Sequence, residues 1–125
     1  AQKVAIRAAD MARRSFLRVA GVIENMSSFT CDHGESYPLF GEGGGRALAN
    51  DIGAELLGQI PLEPAVAHGG DVGEPISISG TTAAARIFSA IAERIESTTI
   101  SVSDLAGCSA RDESVVAVAV RGQSR

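Results

Sequence analysis

The sequence predicts an α/β fold, part of a mostly parallel, doubly wound sheet with flanking helices. Amphipathic helical stretches alternate with short, β-branched apolar runs, in the order helix–strand–loop–helix–strand–loop–helix. That order calls for crossover connections between parallel strands. The core must be built from Ala, Val, Ile and Leu, because Trp is absent and the aromatic residues are only Phe16, Phe29, Tyr37, Phe40 and Phe88. Two strands are firmly legible, too few for an independent doubly wound sheet, so the chain reads as a piece of a larger one.

Each element has its own signature. Residues 2–15 place Val4, Ala8, Met11 and Ala12 at helical spacing, with Lys3, Arg7, Asp10, Arg13 and Arg14 largely on other faces. Opening directly on this helix, the chain reads as a domain whose preceding strand is missing. Leu17–Ile23 (LRVAGVI) has the near-continuous apolarity of a strand buried on both faces. Asn25–Phe40 lacks sustained periodicity and reads as a long loop, a kind that tends to carry function. Gly43-Gly44-Gly45 launches a helix over Arg46–Ile52 that Gly53 ends as a C-cap. Glu55–Ile60 is the second strand, closed by Pro61. Pro64–His68 forms a helical turn that stops at Gly69-Gly70, and 71–80 is loop. Thr81 or Thr82 caps a helix from Ala83 to about Glu96, with Ala84, Ile87, Phe88, Ile91 and Ile95 as its apolar stripe. Beyond Ser97 the composition shifts; Val115–Val120 can form a strand, without an assigned place.

The net charge of −4 and the lack of a basic cluster beyond Arg13-Arg14 exclude a nucleic-acid surface. The longest apolar run near the C-terminus, Val115–Val120, is far short of the roughly 20 residues of a membrane span. No charged-then-apolar leader opens the chain, so cytoplasm is the expected compartment. In that compartment Cys31 and Cys108 are expected to have separate thiol roles rather than a shared disulfide.

Four groups can carry chemistry. Asn25 ends a buried strand at the carboxyl edge, where open parallel sheets bind ligands. Its amide either makes an Asx turn or offers a donor and an acceptor to the edge of a base. Cys31, followed by Asp32 and His33, is either a free loop thiol or half of a Cys-x-His metal pair, which needs ligands from elsewhere to complete four. The glycines at 41, 43, 44 and 45 either make a tight turn with close packing or open a helix N-terminus toward an anion; they do not make a phosphate loop, because Arg46-Ala47 stands where Lys-Ser/Thr is required. Ile60-Pro61-Leu62-Glu63-Pro64 is a rigid turn that can wall a ligand at the sheet edge. His68 has no nucleophile near it in sequence and reads as a helix-end residue, and Cys108 as a small side chain of the interior.

Taken together, AQKVAIRAADMA, LRVAGVIENMSSFTC and LFGEGGGRALANDIGAELLGQIPLEPAVAHGGDVGEPI resemble the C-terminal half of the Mrp/ApbC-type iron–sulfur cluster carrier ATPases, in the MinD-like branch of P-loop NTPases. The likeness covers about residues 1–95. It implies that 1–97 is the C-terminal part of a P-loop ATPase domain and 98–125 a tail. It implies ATP as cofactor, with Asn25 and Pro61, Leu62 and Glu63 contacting adenine. It also implies a homodimer that holds a [4Fe–4S] cluster across its interface through Cys31 and delivers it to apoproteins. The sequence departs from that pattern twice. The second Cys of Cys-x-x-Cys is absent, so that His33, Cys108 or an exogenous thiol would have to substitute, and the phosphate loop and magnesium-binding Asp are not among these 125 residues. Phosphoryl transfer without them loses its main electrostatic support. The rival expectations are a dimerisation or metal-delivery module without ATP chemistry, and a non-functional fragment.

Overall fold

The computed structural model describes residues 2–31, 33–98 and 115–121. Its elements are α1 (Gln2–Arg14), β1 (Arg18–Asn25), β2 (Phe29–Thr30), β3 (Ser36–Tyr37), α2 (Gly44–Ile52), β4 (Leu56–Ile60), α3 (Pro64–Val72), α4 (Ile76–Ser79), α5 (Ala83–Thr98) and β5 (Val115–Arg121). The class is the expected one, α/β around a parallel sheet. The sheet has the order β4-β1-β5, and β2 and β3 form a separate antiparallel hairpin.

Alternation along the strands sends successive side chains to opposite faces. Val22 and Leu56 pack with Ala5, Ala9, Leu48, Ala49 and Ile52, whereas Ile23 and Leu57 pack with Ala84, Ile87 and Ile91. Helices α1 and α2 therefore cover one face and α5 the other. The apolar stripe expected on α5 is the one that packs. On α1 the outcome differs: Ala5, Ala9 and Ala12 are buried, while Val4 (69% exposed) and Met11 (68% exposed) face outward. With Ala at 5, 8, 9 and 12, the helical period fits two faces, and the all-alanine face allows the closer approach to α2 and β1.

Helix ends follow local chemistry. Gly53, at φ 63°, closes α2 as foreseen: its N–H donates to the Asn50 carbonyl and the N–H of Ala54 to that of Ala49. The Arg13 guanidinium donates to the Ile52 carbonyl at this same end. Thr82 is the threonine that caps α5, its Oγ1 accepting the N–H of Ala85 at 3.2 Å. Three expectations are corrected. Helix α3 runs through Gly69-Gly70 to Val72, because Pro64 starts it at the N-terminal turn and Gly73 gives the left-handed exit. The stretch expected as loop over 71–80 contains α4. The long loop after Asn25 carries the β2–β3 hairpin, with Phe29 opposite Tyr37 and Thr30 opposite Ser36. Two-residue strands have too short an alternation to register as a period.

Val115–Arg121 is a strand, parallel to β1 along its whole length. The Ser/Thr-rich stretch after Thr98, Cys108 and Asp32 lie outside the described residues. Among the described residues no helix is long and apolar enough to cross a membrane.

Candidate functional site

The carboxyl ends of β1 and β4 lie side by side, with Asn25 opposite Ile60 in the ladder. Pairing continues past the strands: the N–H of Ser27 donates to the Ile60 carbonyl at 3.0 Å, and that of Leu62 to the Ser28 carbonyl at 2.7 Å. These bonds bring Asn25 and the Pro61–Leu62–Glu63 turn to one edge of the sheet. Met26 makes the bend with φ 57°, a conformation that costs a non-glycine residue about 1 kcal/mol. Its N–H donates to Asn25 Oδ1 at 2.9 Å, so the amide oxygen stabilises the strand exit. The NH2 group of the exposed Asn25 has no hydrogen-bond partner among the described residues.

Pro61, Leu62 and Glu63 are half-buried. The Glu63 carboxylate already has a task, as its Oε1 accepts the N–H of Ala84 at 2.9 Å in the first turn of α5. An anion there meets an orphan donor and the positive end of the helix dipole.

The hairpin rises from the same strand exit. Its tip is closed by the Cys31 N–H donating to the Glu35 carbonyl and the Gly34 N–H donating to the Cys31 carbonyl, both at 2.9 Å. Cys31 is a half-buried free thiol and His33, two residues on in the same turn, is exposed. No group of three or more His, Cys, Asp or Glu among the described residues is placed to hold a metal ion. Tyr37 donates its hydroxyl to Glu35. That bond to a carboxylate, with a smaller part from desolvation, raises the phenol pKa above 10.

The residue that organises this edge is Glu24, which no motif singles out. Its side chain is 1% exposed. Oε1 accepts the N–H of Gly45 at 3.0 Å and Oε2 accepts the Gln59 amide at 2.6 Å. One carboxylate thus ties β1 to the first turn of α2 and to β4. The approach depends on residue 45 having no side chain, since a Cβ there would lie 2.7 Å from Glu24 Cβ. The available sequence signal is an acid within a strand that is otherwise largely apolar. Between the hairpin, the strand ends and the entry to α2 lies an open cleft of about 540 Å³, lined by Glu24, Ser27, Ser28, Ser36, Glu42 and Gln59 among others. Its lining is rich in hydroxyl, amide and carboxylate groups.

The family model for ParA-type proteins, described as the NUBPL iron-transfer P-loop NTPases, matches residues 1–96. The chain belongs to this family. Curated members similar to it are iron–sulfur cluster carrier proteins by name. The one from Saccharolobus solfataricus is 46% identical over 67 residues, 53% of this chain and 23% of that protein. The Mycobacterium bovis protein is 44% identical over 90 residues, 67% of this chain and 24% of the relative. The Pyrococcus furiosus protein is 39% identical over 90 residues, covering 71% and 30% respectively. The chain thus spans less than a third of the length of the curated relatives it matches.

Proposed function

We propose that this chain is the adenine-side part of an ATP-dependent iron–sulfur cluster carrier, within a larger doubly wound sheet to which residues 1–97 contribute the C-terminal part. The observation that carries the reading is the edge where β1 and β4 end. The unpartnered NH2 of Asn25 and the Pro61–Leu62 turn stand there together, and the Cys31 hairpin leaves from the same point. Asn25 would donate to the base, Pro61 and Leu62 would wall it, and Glu63 would hold that wall against α5. ATP hydrolysis belongs to the whole protein, because the phosphate loop and magnesium-binding Asp are not among these residues.

The cluster is cargo. One chain offers Cys31 with His33 beside it, which is half of a four-ligand set. Two copies meeting at the hairpin tips would supply two thiolates and two imidazoles to a bridging cluster, [4Fe–4S] by family likeness. Release to an apoprotein would follow from a site on a hairpin tip whose thiol is only half-buried. Cytoplasm is the compartment in which such thiols stay reduced.

Anaerobic reconstitution with iron and sulfide tests this. The wild-type chain is expected to gain the visible thiolate-to-iron absorption and to dimerise with it, and Cys31→Ser to lose both. His33→Ala is expected to weaken the absorption. An unchanged spectrum in Cys31→Ser would overturn the assignment. A cluster-bound dimer that shows no preference for ATP over GTP, with no change in Asn25→Ala, would favour a metal-delivery module without ATP chemistry.

A further inference from the structure

Helix α2 begins without a cap of its own. Its N-cap position is Gly43, at φ 76° and with no side chain to accept an orphan N–H. An N-cap side chain accepts the N–H of the second or third helical residue. Gly45 is that second residue, and its N–H donates at 3.0 Å to Oε1 of Glu24, a residue of β1. The carboxylate thus caps α2 from another element, and its charge meets the positive end of the helix dipole.

The place of this cap matters because residues 26–43 form the excursion that carries Cys31. The outgoing limb is fastened beside β4 by main-chain bonds, Ser27 N–H to the Ile60 carbonyl and Leu62 N–H to the Ser28 carbonyl. The returning limb has turns of its own, with the N–H of Leu39 donating to the Tyr37 carbonyl and that of Gly41 to the Pro38 carbonyl. Neither reaches the sheet. Among the described residues, the bond from Gly45 to Glu24 is the first hydrogen bond that ties the chain after the hairpin back to the sheet. The Gln2 amide, from α1, donates to the neighbouring Gly44 carbonyl at 3.1 Å. The other oxygen of Glu24, Oε2, accepts from Gln59, the residue before Ile60. One side chain therefore holds the returning limb against the same strand pair on which the outgoing limb is anchored. A Cβ on residue 45 would meet Glu24 Cβ at 2.7 Å and Cδ at 3.1 Å, so the contact leaves little slack.

We propose that Glu24 is a positioning residue for the Cys31 hairpin. As the remote cap of α2 it fixes the returning limb against the outgoing one, and so sets where the thiol stands at the sheet edge. What the thiol holds rests on the proposed function; its placement by Glu24 does not.

Alkylation of Cys31 by iodoacetamide in the native full chain, quantified on the Cys31 peptide by mass spectrometry, reads that placement without a cluster. Glu24→Ala is expected to raise the rate about threefold or more through local opening at the hairpin base. Amide exchange is expected to quicken with it at Ala47, whose N–H bonds to the Gly43 carbonyl. Glu24→Gln, which still accepts from Gly45, is expected to restore most of the wild-type rate. Gly45→Ala opens the same contact from the other side and leaves the carboxylate in place, so its rate is expected to rise as in Glu24→Ala. Thr82→Ala removes the cap of α5 instead, and separates a local effect from a general loss of stability; its Cys31 rate is expected to stay at the wild-type value. A wild-type rate in either Glu24→Ala or Gly45→Ala, read on whichever of them folds, would overturn the proposal. An equal rise in Thr82→Ala would overturn it too. In the chain loaded with iron and sulfide, Glu24→Ala is expected to lose its visible absorption to a chelator faster than the wild type. Failure of the wild-type chain to take up a cluster would sink the cluster reading alone, because the alkylation rates decide the role of Glu24 without it.

Discussion

Glu24 exposes almost no surface and is held by two donors from two different elements. Hydrogen bonds to a charged group contribute about 1.5–3 kcal/mol, and the donors left behind carry their own desolvation cost. The N-terminal turn of α2, where Gly45 sits, adds favourable electrostatics. Glu24→Ala is expected to lower stability by about 3 kcal/mol, through two stranded donors and a cavity. Glu24→Gln keeps the shape and the bond to Gly45 and pairs with Gln59 only if that amide turns its oxygen inward, so its expected cost is smaller, about 1–2 kcal/mol. Urea titrations of both variants give the comparison, and equal losses would mean that the hydrogen-bonded carboxylate, and not the shape of the side chain, holds residue 24. The local pattern shows only an acid in a largely apolar strand and not what it binds, because both donors come from distant segments, Gly45 and Gln59.

Among the elements, α5 is held by two caps of different origin. Thr82 is local, one of the two threonines that position alone offered as the cap. Glu63 reaches from the turn after β4 to the N–H of Ala84, a link that sequence cannot reveal because it spans two elements. Glu63→Ala is expected to cost about 1 kcal/mol, the usual worth of a helix cap. Glu63→Gln retains the acceptor and should recover most of it. Thermal melts distinguish these two variants; a full loss in Glu63→Gln would point to charge rather than capping. The same contrast between local and distant information explains how much of the fold could be read. Strands β1 and β4 and helices α2 and α5 were visible because their apolar runs and stops are local. The outward turn of Val4 and Met11 was not, because two faces of α1 satisfied the same period and packing against α2 chose between them. Asn25, Pro61 and Leu62 were placed together correctly by the rule for parallel sheet edges. Glu63, expected in that turn, turned out to cap α5.

For the molecule as a whole, the two cores share one sheet. Leu48 lies in the core beneath α1 and α2, and Ile91 in the core beneath α5, yet β1 and β4 contribute to both. Leu48→Ala and Ile91→Ala are each expected to cost about 2–5 kcal/mol. Both should lower one common transition, read at amides of α1 and of α5 alike. Separate transitions for the two sets would show that the faces unfold independently. The clasp between Glu24 and Gly45 has a different consequence at this scale. It joins the residue just before the excursion from the sheet to one just after it, 21 positions later. The hairpin is therefore a closed loop fastened at its base, and lengthening such a loop twofold costs only about 0.6 kcal/mol in closure entropy. The thiol-bearing tip can be lengthened, shortened or exchanged as a cassette while the sheet beneath it stays as it is.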